Sequence, residues 1–127
     1  MRRISLIAIG AALCAVLAFS ATASAKPVTK SCITNSKNVI GNKVTGTMTS
    51  RNVNSVQKGF ATCAHAKKVM NGVLSLRIEE PMSVQGFYCV PTVLKTSPDV
   101  VRYVCTFKGA DTPMFVKLVF QVKYNLD

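Results

Sequence analysis

The chain has 127 residues, sixteen Lys and Arg against five Asp and Glu, five Cys and no Trp. That length holds one domain rather than two. A net charge of +11 is large for its size, and no catalytic motif, metal-ligand spacing or nucleotide-binding loop accompanies it.

The N-terminus reads as a targeting segment. Arg2 and Arg3 precede an apolar run from Ile4 to Phe19, and Ala23-Ser24-Ala25 offers the small residues of a cleavage site. This pattern predicts a secretory signal over residues 1–25, cleaved after Ala25. The run is short for a membrane anchor. The bulky Leu13 before Cys14 argues against a lipoprotein, and the Arg pair matches the twin-arginine pattern only loosely. Losing 25 of the 127 residues leaves 102. Arg2, Arg3 and Cys14 go with them, so the remainder carries +9 and four cysteines: Cys32, Cys63, Cys89 and Cys105.

An even cysteine count in a small exported chain predicts two disulfides. Metal binding is disfavoured, because there is no C-x-x-C pair and only one His. Four cysteines allow three connectivities. Cys89 and Cys105 flank Thr96-Ser97-Pro98-Asp99, a stretch with turn chemistry. A hairpin there favours Cys89–Cys105 and leaves Cys32 with Cys63.

In chain order, residues 26–43 read as an irregular basic arm and residues 44–127 as one small α+β domain. Val44 to Val53 alternates loosely, as a first strand would. Cys63, Ala66, Val69, Met70, Val73 and Leu74 then recur at helical spacing, with Thr62 as N-cap. Gly72 lies either inside that helix or at its end. Three strands follow: Val84 to Val90, Val101 to Lys108, and Val116 to Tyr124, whose Val116, Leu118, Phe120, Val122 and Tyr124 share one face. The expected fold class is α+β, one helix packed on a three- to four-stranded antiparallel sheet. Cys32–Cys63 would pin the arm across the helix start.

These motifs resemble those of small exported actinobacterial proteins. Cys63-Ala64-His65-Ala66-Lys67-Lys68-Val69 looks like their C-x-x-A-[RK]-x-V helix start, and Gly86-Phe87-Tyr88-Cys89 like their G-[FW]-x-C strand. Val104-Cys105-Thr106 is similar to their V-x-C-T strand, except that Val104 adjoins the cysteine. Phe115 to Phe120 matches a closing apolar strand. The resemblance spans Thr62 to Phe120. It implies a small secreted α+β domain, and it implies no activity, cofactor or catalytic residue.

Two acid–base candidates read as structure. His65, the only histidine, sits one position past the helix start, and Glu79-Glu80 lies on a loop before Pro81. The charge is the stronger signal. Lys26, Lys30, Lys37, Lys43, Arg51, Lys58, Lys67 and Lys68 precede the first acid, Glu79. Lys58, Lys67, Lys68 and Arg51 are the candidate anion-binding residues. The matching partners are an anionic cell-wall polymer, anionic lipid or an acidic protein. Nucleic acid is disfavoured, since no aromatics interleave with the basic residues and no module is recognisable. The expectation is a non-enzymatic, cofactor-free, secreted or envelope-associated binding module. The alternative is an enzyme inhibitor presenting Ser97-Pro98-Asp99 or Glu80-Pro81-Met82-Ser83 as a rigid loop.

Overall fold

Period-two patterning builds most of the molecule. The computed structural model describes residues 26–51, 53, 58–108 and 115–125. The signal-peptide expectation for residues 1–25 lies outside them. Among the described residues six strands occur: β1 (Val28–Asn35), β2 (Lys43–Arg51), β3 (Met82–Val84), β4 (Phe87–Lys95), β5 (Val100–Lys108) and β6 (Phe115–Lys123). A 3₁₀ turn (Lys58–Ala61) and one helix, α1 (Cys63–Leu76), lie between β2 and β3. The strands form one sheet in the order β1-β2-β6-β5-β4-β3. Every neighbouring pair is antiparallel.

The expectation of three or four strands is therefore overturned, and so is that of an irregular arm over residues 26–43. The arm contains β1, which pairs along its whole length with β2. As an edge strand β1 buries only Cys32 and Thr34. Its Thr, Ser and Lys residues satisfy strand geometry without the apolar alternation that announces a strand. The stretch Val84 to Val90, read as one strand, is two. Gln85 and Gly86, at φ of 51° and 84°, make a two-residue turn between paired Val84 and Phe87. Positive φ at both positions is the hairpin geometry that matches strand twist. Gly86 thus serves a turn.

The helix forms as expected. Thr62 is extended, and its Oγ1 accepts from the His65 backbone N–H at 3.2 Å. Arg77 caps the other end in the left-handed region, its N–H bonded to the Val73 carbonyl. Ala66, Val69, Met70, Val73 and Leu74 are buried against the sheet. Gly72 lies inside the helix, where a Cβ would stand 2.6 Å from Val84 Cγ1. Its missing side chain lets α1 settle onto β3.

The core is the layer between α1 and one sheet face. It holds Met48, Phe87, Tyr103, Val116, Leu118, Phe120 and Val122, all nearly inaccessible. Both disulfides lie on this side. Cys32–Cys63 ties β1 to the helix start, and Cys89–Cys105 joins directly paired positions of β4 and β5. Farther along, Thr34 Oγ1 donates to Asn71 Oδ1 at 2.7 Å, so α1 is fastened to β1 at two levels.

Candidate functional site

One helix covers one face of the sheet, and no described residue outside the strands covers the other, here called the open face. Strand alternation decides which side chains occupy it. Tyr88, Thr106, Lys117, Thr49 and Thr29 stand in register across β4, β5, β6, β2 and β1. The next row is Val90, Val104, Val119, Thr47 and Ser31. Beyond it, Thr92, Arg102 and Gln121 are aligned, and Thr45 faces Ile33. The open face is thus a carpet of hydroxyls with a shallow aliphatic band, and Tyr88 is exposed at one side.

Cations punctuate this carpet. Arg51 and Lys117 lie one diagonal step apart, because Arg51 pairs with Phe115 and Lys117 with Thr49. Arg102 and Lys123 form a second diagonal, since Arg102 pairs with Gln121 and Lys123 with Val100. Diagonal neighbours on adjacent strands are separated by roughly 7–8 Å. Lys117 and Lys123 are six residues apart on one strand, about 20 Å at ~3.4 Å per residue. Lys43 occupies the same face at the start of β2, where the buried residues alternate with it. The described carboxylates, Glu79, Glu80 and Asp99, all lie outside the strands: two between α1 and β3, one in the turn before β5. The strands of this face therefore present Lys43, Arg51, Arg102, Lys117 and Lys123, with Lys95 in the row of Lys123 through Val100, and no described acid.

Of the four candidate anion-binding residues, the fold brings only Arg51 onto this face. Its guanidinium lies 5.6 Å from the Phe115 ring centroid, and its Nε is buried without a hydrogen-bond partner among the described residues. Lys67 and Lys68 are exposed on α1, on the opposite side of the sheet. Lys67 falls midway between Cys63 and Asn71, on the helix flank that faces β1. Lys58 begins the 3₁₀ turn and shares a depression with Lys30, Val28, Ser50 and Thr62 beside the helix start. The four residues form no single cluster. Sequence reasoning missed Arg102, Lys117, Lys123 and Lys43 as one group. Their alternation in the strands was readable, but the neighbour relation of β2, β6 and β5 was not.

His65 is held as a structural residue. Its Nε2 is 2.9 Å from the Gln85 carbonyl, so that nitrogen is the donor. Its ring meets Phe60 edge-on and tilts against Phe87, while Phe60 stacks on Phe107. Among the described residues no group of three or more His, Cys, Asp or Glu is placed to hold a metal ion.

A polar feature lies inside the core at the far end of α1. The Tyr103 and Tyr124 hydroxyls are 2.6 Å apart, and Tyr103 Oη donates to the Ile78 carbonyl at 3.3 Å. With that proton committed, Tyr124 is the donor to Tyr103. Burial raises both phenols above their ordinary value, so both stay neutral and keep these bonds. The Arg77 guanidinium lies over the Tyr124 ring at 4.6 Å.

No helix among the described residues is long and apolar enough to cross a membrane. Comparison with protein-family models, with curated proteins and with solved structures yields no match for this chain.

Proposed function

We propose that this is an exported, non-enzymatic binding module whose open sheet face docks an extended anionic polymer of the cell envelope. The observation that supports the reading is the set of six described cations, with no described carboxylate, on the strands of that face. An acidic chain lying along the strands meets Arg51 and Lys117 at one end and Arg102 and Lys123 at the other. Between them, Thr47, Thr49, Ser31 and Thr106 offer hydroxyls for hydrogen bonds. A hydroxyl carpet favours a polymer over a bilayer, since membrane-surface binding rests on a broad apolar face with aromatic anchors. Two disulfides suit the oxidising environment outside the cytosol.

Retention of the oxidised protein on purified envelope polymer, at about 0.01 and 1 M salt, tests this. The Debye length shortens from about 30 to 3 Å over that range. Binding is expected to collapse at high salt. The double substitution Arg102→Ala with Lys123→Ala is expected to weaken low-salt binding by roughly tenfold, or ~1.4 kcal/mol. Retention that survives 1 M salt would instead favour the loop-presenting inhibitor, whose contacts are buried in a cleft.

A further inference from the structure

We infer that the cleft at the C-terminal end of α1 is a second binding site, which takes a primary alkylammonium group. Its position is separate from the cationic face, and the inference does not depend on the anionic-polymer reading. The cleft is walled by Arg77, Ile78 and Glu79 after the helix and by Pro91, Val93, Asp99 and Val101 of the β4–β5 hairpin. Tyr103 and Tyr124 complete it.

Three observations define the occupant. The first is size. The cleft has a volume of about 170 Å³. That is well below the ~300 Å³ or more of a cofactor or drug-sized pocket. It suits a charged head on a short hydrocarbon stem.

The second is an apolar wall left open. Val93 is 60 % exposed although it lies on a strand. With Pro91 and Val101 it lines the passage a hydrocarbon stem would occupy. A further strand is poorly placed to cover this edge. Cys89 and Cys105 are a close-spaced pair, with Cα atoms 3.9 Å apart. That spacing marks positions whose backbone groups point away from the partner strand. By alternation, Pro91 and Val93 point their backbone groups to the free edge. Pro91 has no N–H to give, and the register shifts just after Val93. Proline and a bulge are the usual guards against edge pairing.

The third is charge. In a chain of net charge +11, two of the three described carboxylates, Glu79 and Asp99, line this one cleft. Neither makes a hydrogen bond or ion pair to another described side chain. The C-terminal end of α1 adds its negative dipole to theirs. Arg77 is the one cation in the wall, and its guanidinium is engaged with the Tyr124 ring and, at 3.5 Å, the Asn125 carbonyl. A ligand ammonium in this cleft therefore has two carboxylates in the wall around it, with Val93 and Val101 as the apolar lining for its stem.

The test titrates the oxidised, isotope-labelled full chain with n-butylammonium and follows amide shifts. Butanol and butyrate serve as neutral and anionic controls of similar length. Saturable shifts at Val93, Asp99 and Val101 are expected with butylammonium, and at least about tenfold weaker responses to both controls. Asp99→Asn and Glu79→Gln are each expected to weaken the ammonium severalfold, whereas Lys26→Ala leaves it unchanged. Both carboxylates are exposed, so thermal unfolding of the variants should match the parent. N-acetyl-lysine methylamide separates two sources of the group. Tighter binding than butylammonium places the ammonium on a lysine of a peptide, and weaker binding on a free amine. Equal response to butanol or butyrate, absence of shifts at the cleft, or binding unaltered in both carboxylate variants would overturn the inference.

Discussion

Two residues show how closely this core is fitted. A Cβ at position 72 would stand 2.6 Å from a methyl of buried Val84. Gly72→Ala should therefore destabilise the protein although Ala is the better helix former. Overpacking costs about 1–3 kcal/mol, against a helical gain of ~1 kcal/mol. Denaturant unfolding should show a net loss near 1 kcal/mol. Tyr103 is the hub of the buried hydroxyl pair, since it both donates and accepts. Tyr103→Phe leaves the Ile78 carbonyl and the Tyr124 hydroxyl unpaired, each a penalty of about 1–3 kcal/mol. Tyr124→Phe leaves Tyr103 bonded to Ile78 and should cost less. The double variant should cost less than the sum, because no hydroxyl is then left stranded. The same pair sets an alkaline limit. Both phenols are raised in the folded state by burial, while the unfolded chain releases those protons near pH 10. Their contribution is complete below about pH 10 and is lost as pH rises beyond it. Unfolding followed from neutral to strongly alkaline pH should show this decline, and Tyr103→Phe should flatten it.

At the scale of elements, legibility followed apolar contrast. The helix was readable because Thr62 is a capping residue and the buried face repeats at three and four. The strand β6 was readable because Val116, Leu118, Phe120 and Val122 alternate with Lys and Gln. The turn before β5, and with it the Cys89–Cys105 pairing, was readable from Thr96-Ser97-Pro98-Asp99. By contrast β1 was hidden, since its outward face is Thr and Ser and its inward face contributes only Cys32 and Thr34 to the interior. The turn after β3 was hidden because Gln85-Gly86 is not the Asn-Gly or Asp-Gly that usually marks a hairpin. The disulfides divide the same way. Cys89 and Cys105 are fully buried, whereas Cys63 is partly accessible. Mild reductant should open Cys32–Cys63 first, as peptide mapping of trapped thiols would show. Replacing that pair by Ser should cost about 2–4 kcal/mol. The same change should speed hydrogen exchange in β1 more than in β4 and β5.

At the scale of the molecule, the sequence placed positive charge in the residues before Glu79, and the fold redistributes it. The open face takes Lys43 and Arg51 from that half and Arg102, Lys117 and Lys123 from the other. Only strand order joins them, and strand order is a long-range fact that no local pattern carries. That order has a temporal consequence. The last described strand, β6, lies between β2 and β5. Without it, the β1–β2 hairpin and the β3–β5 meander share no hydrogen-bonded ladder. A chain delivered N-terminus first, from a ribosome or through a translocation channel, cannot close its sheet until Phe115–Lys123 has emerged. Thr34 and Cys32 can find the helix early, yet the core has no wall opposite Met70 and Val73 while Leu118 and Phe120 are missing. A chain ending at Lys108 should accordingly unfold without a cooperative transition. Placing the keystone strand after the other described strands leaves the sheet unclosed until Phe115–Lys123 is available to pair with β2 and β5.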